Sequence, residues 1–453
     1  MKRLFLPACV ALVLASSAAG SSAAGGSVPS FAAAKRYKVT QVEGCGSCAI
    51  ATAIGDLDGD GKPDVVTVNG DQTISVFVGK AGGTLGTRRD YLASGDPAGS
   101  AIADLNGDGR ADVAVADLGG FVTVFLNTGD GTLGAKHDYA AGGGPASIAA
   151  GDLDGNGSAD LAVTGPGGVS VLHNNGNGSF GASENYPSGG ASVALGDLNG
   201  DGKLDVVTGD GGQPAGVSVL LNTGDGSFQT ARRYAADGAV SVALGDLNGD
   251  GKVDVAAANG GPGVSVLLNA GDGTLRRRRI YEVLHPANMY GGVPQSITIA
   301  DLNGDHRADL ATANFDRHVS VLLNDGAGAF NTTIDVGTGS CREVFEADRG
   351  IAASDLNVDG RADLAVASTG GVCVSLARPG LCNVQDVVGL KLPAARKLLA
   401  RAHCRVGRVR RKHSELFRKR QISAERPGFG RALRAGARVD LVVSLGPRYR
   451  QAV

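Results

Sequence analysis

Seven copies of one nine-residue acidic loop run along this chain, and their spacing limits the fold more than any other feature. They are DLDGDGKPD from Asp56, DLNGDGRAD from Asp104, DLDGNGSAD from Asp152, DLNGDGKLD from Asp197, DLNGDGKVD from Asp246, DLNGDHRAD from Asp301 and DLNVDGRAD from Asp355. Successive copies begin 45 to 55 residues apart. A repeat of that length points to a propeller or a solenoid. Each unit keeps the same order. A short run such as SVALGD enters the loop and a β-branched run such as DVVT leaves it. An alternating strand follows, VSVLLN from Val217 and Val264 with variants from Val169 and Val319, then a GDGSF or GDGTL turn. The unit ends on a segment such as ARRY or AKHDY, near Tyr139, Tyr186 and Tyr234. That predicts four short strands per unit, separated by Gly, Asn and Asp turns.

Composition agrees. The chain has 72 Gly, no Trp and only 4% aromatic residues, which suits short strands and tight turns over a core built on large rings. Between residues 40 and 380 no stretch sustains a 3.6-residue apolar period. Four strands repeated seven times predict an all-β, seven-bladed propeller. The ends decide between an open and a closed array. Unit seven stops near Pro379 without its last strand, while FAAAKRY at 31–37 matches FQTARRY at 228–234. The N-terminal segment is therefore expected to supply the outer strand of the last blade, closing the ring and covering a sheet edge.

Positions 1, 3, 5 and 9 of the loop are Asp or Asn in all seven copies. The candidate metal ligands are Asp56, Asp58, Asp60 and Asp64; Asp104, Asn106, Asp108 and Asp112; Asp152, Asp154, Asn156 and Asp160; Asp197, Asn199, Asp201 and Asp205; Asp246, Asn248, Asp250 and Asp254; Asp301, Asn303, Asp305 and Asp309; and Asp355, Asn357, Asp359 and Asp363. Calcium takes six to eight hard oxygen donors, and this spacing matches the first half of an EF-hand loop. Here position 9 falls where a strand begins, so the loop is set in a hairpin without flanking helices. Asp, Asn and Gly also favour turns without any metal. Three or four carboxylates in nine residues, however, repel one another unless a cation neutralises them. No Cys or His occupies the ligand positions, which disfavours zinc and copper. Up to seven structural Ca2+ ions are expected. Three loops depart from the pattern: Asn156 stands at position 5, His306 replaces Gly at position 6 and Val358 replaces Gly at position 4. Loops six and seven are expected to be the weaker sites.

On these residues the region 31–378 resembles the FG-GAP or VCBS repeats of bacterial surface proteins and integrin α-subunit propellers. The resemblance implies the closed propeller and is much less specific for function.

The N-terminus reads as a signal peptide over residues 1–26: Lys2 and Arg3, an apolar run at 4–15, then small residues. The run is too short to span a bilayer, so export is expected, with no transmembrane segment after processing. Setting Cys9 aside leaves six cysteines, an even number that suits disulfides in an exported chain. Six cysteines allow fifteen pairings. The local set Cys45–Cys48, Cys341–Cys373 and Cys382–Cys404 is preferred; a redox CxxC or half a zinc site at Cys45 and Cys48 lacks the supporting context.

Net charge is −2 overall, but from Leu381 onward 18 Lys/Arg face 4 Asp/Glu, so +14, and the remainder carries 25 against 41, so −16. Such a split marks two domains, with boundaries at 27–379 and 380–453. The second part contains VQDVVG, the helical pattern LKLPAARKLLARAHC, the basic run VGRVRRKHS, then QISAERPGFGRALRAGARV and DLVVSLG. In that order it resembles a PASTA domain, a small α+β module, with SAERP at 423–427 a mild variation. The resemblance implies contact with bacterial cell wall, and the charge suits any anionic polymer. A solvated basic face with no partner is the bland alternative. Nucleic acid is not expected, since neither a motif nor aromatic interleaving supports it.

The seven histidines are scattered, with no HExxH and no GxSxG, so no enzyme is expected. Longer inserts at 276–294 and 338–349 are candidate rims of a binding face. Three functions stay in view: a secreted, monomeric adhesion scaffold whose propeller face binds protein or glycan; a calcium-stabilised lectin, though without Trp platforms; and a secreted hydrolase or lyase.

Overall fold

The computed structural model describes residues 29–39, 49–212, 215–261, 263–283, 293–315, 318–336, 350–368 and 370–378, then 382–383, 391–401, 405–412, 422–426, 432–433 and 438–444. The segment expected to be a signal peptide, residues 284–292 of the insert at 276–294, the insert at 338–349 and Cys45, Cys48, Cys341 and Cys404 lie outside these residues. Each preferred disulfide therefore has at least one member there. The chain divides into two units. One takes Ala33–Asp301 and Arg307–Leu376; the other takes residues 29–32, Leu302–His306 and the described part of Ala377–Val453.

The first unit is a seven-bladed β-propeller. Blade one contains Ala49–Gly55, Asp64–Asn69, Thr73–Lys80 and Thr84–Leu92, paired antiparallel in sequence order. Blades two to six repeat this plan, with second strands at Asp112–Asp117, Asp160–Gly165, Asp205–Asp210, Asp254–Asn259 and Asp309–Asn314. Blade seven takes Gly350–Ser354, Asp363–Ser368 and Gly371–Ser375 from its own region, and Lys35–Lys38 as its outer strand. Tyr37 there stands opposite Val372, so the expected ring closure is what the fold uses.

Every second strand is buried along its whole length. These are the DVVT-type runs, and continuous burial explains why they read as unbroken β-branched and small apolar residues. The innermost strands enclose a central cavity of about 460 Å³, lined by residues from all seven blades. Between blades, small clusters replace a single large core. One joins Leu153, Val171, Val206 and Leu220 to Phe228. On the rim, outer-strand tyrosines of five blades pack edge-on against a phenylalanine of the next blade, as in Tyr139–Phe180 at 5.2 Å and Tyr186–Phe228 at 5.3 Å between centroids.

One expectation is corrected. The start of the insert at 276–294 is not irregular: Arg279–Glu282 is the outer strand of blade five, paired to Gly263–Leu267. The basic run had masked its alternation, because an outermost strand with one exposed face has no need of apolar side chains.

In the second unit the helix Leu392–Arg401 is followed by a three-stranded sheet. Arg438–Ser444 lies at its centre, parallel to Arg405–Lys412 and antiparallel to Ile422–Arg426. Val439, Leu441 and Val443 are buried, with polar Asp440 and partly exposed Val442 between them, the two-residue alternation of a strand with one packed face.

Candidate metal loops and blade joints

The acidic loops bridge the first and second strand of each blade, and their hydrogen bonds repeat from blade to blade. Both carboxylate oxygens at position 1 accept backbone amides from within the loop. Asp56 accepts from Gly59 N at 2.8 Å and Gly61 N at 2.9 Å, and Asp104, Asp152, Asp197 and Asp246 do the same. Position 3 accepts the amide of position 5, as Asn106 does from Asp108 at 2.9 Å. Position 5 accepts the amide of position 7, as Asp201 does from Lys203 at 3.0 Å. Positions 4 and 6 have positive φ in loops one to five, 73° at Gly59 and 80° at Gly61, which is why Gly recurs there. His306 at 63° and Val358 at 58° adopt the same region without being Gly. For a β-branched residue that conformation is strained.

Position 9 differs in kind. Asp64, Asp112, Asp160, Asp205, Asp254, Asp309 and Asp363 are all fully buried. Asp205 Oδ2 accepts Leu198 N at 2.9 Å and Oδ1 accepts Asn222 N at 2.8 Å, so the carboxylate ties the loop to the third strand. The same double bond occurs at Asp112, Asp160 and Asp254. Burial pushes the carboxyls of Asp64, Asp112, Asp205 and Asp254 up to about 6, against the opposing pull of those amides. Burial, reinforced by the charges of Asp60 and Asp56, also raises Asp58.

Two residues outside the expected ligand set complete the joint. Leu at position 2 is 1% exposed or less in loops one to five, and its carbonyl is held by the next blade. Asn222 at the end of the VSVLLN strand donates from Nδ2 to Leu153 O at 2.7 Å in the previous loop and to Leu204 O at 3.0 Å in its own. Its Oδ1 accepts Gly224 N at 2.7 Å. Asn127, Asn174, Asn269 and Asn324 form the same staple. Their repetition at the end of VSVLLN was a visible signal that an ordinary strand pattern does not explain.

As for the ligands themselves, loop one brings Asp56, Asp58 and Asp64 together, with one oxygen from each within 4.8 Å of the others. Asp60 stands outside that group and is paired with Lys62. In loop three the group is Asp154, Asp160 and His173, without Asp152. Loops two, four and five place Asn at position 3, so they offer an amide oxygen there. In loop seven the Asn357 Oδ1 is buried with no hydrogen-bond partner. In loop six, Asp301 and Asp309 fall in the first unit while Asn303 and Asp305 fall in the second, where Asp305 N donates to Asn303 Oδ1 at 2.8 Å. Buried carboxylates, neutral amide oxygens and an orphaned carbonyl oxygen form a donor set that fits a hard divalent cation.

A second concavity lies on the rim. Tyr234, Leu275, Arg276, Arg277, Arg278 and Ile280 line a depression of about 520 Å³ beside the outer strands of blades four and five. Arg278 there is paired with Asp237 at 2.6 Å.

Repeats of this kind define a family. FG-GAP-like repeats match at residues 56–115, 104–163, 152–208, 197–257, 246–312 and 301–366, and the chain belongs to that family. No curated protein matches it in sequence. Among solved structures, the BP39L lectin of Burkholderia pseudomallei is 17% identical, with 74% of this chain and 96% of that one covered, at a TM-score of 0.57. BBS1N in complex with ARL6DN is 14% identical over 77% of this chain and 96% of that one, at 0.50. An Agrocybe aegerita lectin recognising non-reducing terminal N-acetylglucosamine is 22% identical over 72% and 93%, at 0.45. For the first two, at these identities, the likeness is one of fold. Among the described residues, no helix is long and apolar enough to cross a membrane.

Proposed function

We propose that this chain is an exported, calcium-stabilised propeller that acts as a monomeric interaction scaffold and binds rather than catalyses. The observation that carries the reading is the convergence of Asp56, Asp58 and Asp64 in loop one, within a loop design repeated around the ring. The residues that would hold Ca2+ are those at positions 1, 3, 5 and 9, and the ion would neutralise carboxylates that burial otherwise disfavours. Repetition in every blade argues for a structural ion, since a ligand site is usually placed once. Binding is then left to features that break the repeat.

The basic second unit is the first such feature. We read its helix and strands as a PASTA-like module, and Arg410, Arg411 and Lys412 lie on one strand. We assign it contact with cell-wall or another anionic polymer. The test is a pull-down of the full chain on purified cell wall, with and without Arg410→Ala, Arg411→Ala and Lys412→Ala together. The reading expects binding that weakens at high salt and in the triple variant. Equal retention of both proteins sinks the wall-binding role.

A lectin is the second reading, favoured by the rim depression, where Tyr234 and Ile280 offer apolar surface beside arginines. A glycan array on the full chain separates the two: selective glycan signals abolished by Tyr234→Ala favour the lectin.

A further inference from the structure

Blade three departs from its neighbours in several chemically related positions. At the residue before the stapling Asn, or before the Gly79 and Ala377 that stand in its place in blades one and seven, the other blades carry Val78, Leu126, Leu221, Leu268, Leu323 and Leu376, and blade three carries His173. This slot is a close contact between blades. Leu126 lies against Gly178 of the next blade's turn, Leu221 against Gly273 and Leu268 against Gly328. His173 fills the same slot against Gly226, where a Cβ would sit 2.2 Å from the ring. An imidazole thus occupies a place that hydrocarbon fills elsewhere. In the same loop, Asn156 replaces the acid at position 5, and Ser158 replaces the Lys or Arg found at position 7 in every other copy. Loop three has lost the local cation and gained a nitrogen donor.

The geometry there does not satisfy the imidazole. His173 Nδ1 is sealed from solvent and has no hydrogen-bond partner. It stands 3.7 Å from Asp160 Oδ2 and 3.9 Å from Asp154 Oδ2. Both distances are too long for hydrogen bonds. They are the separations of ligands sharing one small ion, since atoms about 2.1 Å from a common metal stand roughly 3 to 4 Å apart. The remaining partners are compatible. Asp160 Oδ2 accepts only the Leu153 amide at 2.8 Å, and Asp154 Oδ2 accepts Asn156 Nδ2 at 2.9 Å.

We propose that Asp154, Asp160 and His173 form a mixed nitrogen–oxygen metal site that takes a borderline ion such as Zn2+ in preference to Ca2+. Imidazole adds affinity for such ions and little for calcium, whose ligands are hard oxygens. The chain then sorts two cations by blade, with one site of different chemistry among the calcium-type loops. The inference rests on the reading of these loops as cation sites.

The test is calorimetric titration of the full chain, stripped with chelator, first with Ca2+ and then with ZnCl2 in excess Ca2+. The comparison proteins are His173→Leu, the residue five other blades use in this slot, and His173→Gln. One Zn2+ per chain is expected that calcium does not displace, weakened at least tenfold in both variants, while calcium stoichiometry and far-ultraviolet circular dichroism stay unchanged. Co2+ in place of Zn2+ should give visible absorption that His173→Leu abolishes. Zinc binding equal in all three proteins overturns the site. Calcium binding without zinc binding also overturns it and leaves a metal-free His–Asp contact. Failure of both ions to bind defeats the cation reading of the loops as a whole.

Discussion

Replacing Asn222 with Ala tests the joint between blades where the structure is most explicit. Asn222 is 3% exposed and makes three side-chain hydrogen bonds, two to carbonyls on different loops and one from Gly224 N. Alanine keeps the backbone bond to Asp205 but strands two carbonyl oxygens and an amide in a buried seam. A buried polar group left unpaired costs about 1–3 kcal/mol. With some relief from entering water, the summed loss should be about 3 kcal/mol. The assay is urea unfolding followed by far-ultraviolet circular dichroism or tyrosine emission, since the chain has no Trp. Asn175→Ala is the matched control, because Asn175 makes an exposed bond to Ser179 at 3.0 Å and should change stability by about 0.5 kcal/mol or less. A loss below about 1 kcal/mol at Asn222, with an unchanged denaturant slope, would refute the claim that these asparagines hold the blades together.

Other outcomes follow from the loops. The carboxyls of Asp64, Asp112, Asp205 and Asp254 are raised to about 6 in the fold, above their unfolded value. The folded state therefore holds extra protons between about pH 4 and 6, and in chelator its stability should fall as pH rises through that window, then level off. Each group contributes at most about 3 kcal/mol on the scale of ~1.4 kcal/mol per pH unit, and added Ca2+ should flatten or reverse the slope; thermal melts from pH 4 to 7 read both. Val358→Gly removes a β-branched residue from positive φ and should stabilise the protein by about 1 kcal/mol, while a loss of stability there contradicts the strain argument.

Blade number, strand order and ring closure were legible because the sequence repeats. The acidic loop marks each unit, and FAAAKRY at 31–37 is recognisable as a displaced outer strand. The positive φ at His306 followed from the Gly it replaces. The joint was less visible. Leu at position 2 and Asn after VSVLL look like ordinary strand and turn residues, and their role depends on contacts about 70 residues apart, as between Asn222 and Leu153. Position 9 was read only as a ligand, yet it also fixes two backbone amides, a fact that depends on where the third strand lies. His173 looked like a scattered histidine because its neighbours Asp154 and Asp160 come from the preceding loop and Gly226 from the next blade. The basic run at 276–279 hid a strand, since an exposed outer strand shows no apolar alternation.

If the acidic loops are cation-neutralised joints of the propeller, as we propose, calcium must both bind the chain and stabilise its fold. Calorimetric titration of the chelator-stripped full chain with Ca2+ at pH 7, paired with thermal melts with and without the ion, tests it most directly. Several ions should bind per chain, and the melting temperature should rise with calcium by mass action on the folded state. An unchanged melting temperature with no heat of binding would contradict the proposal.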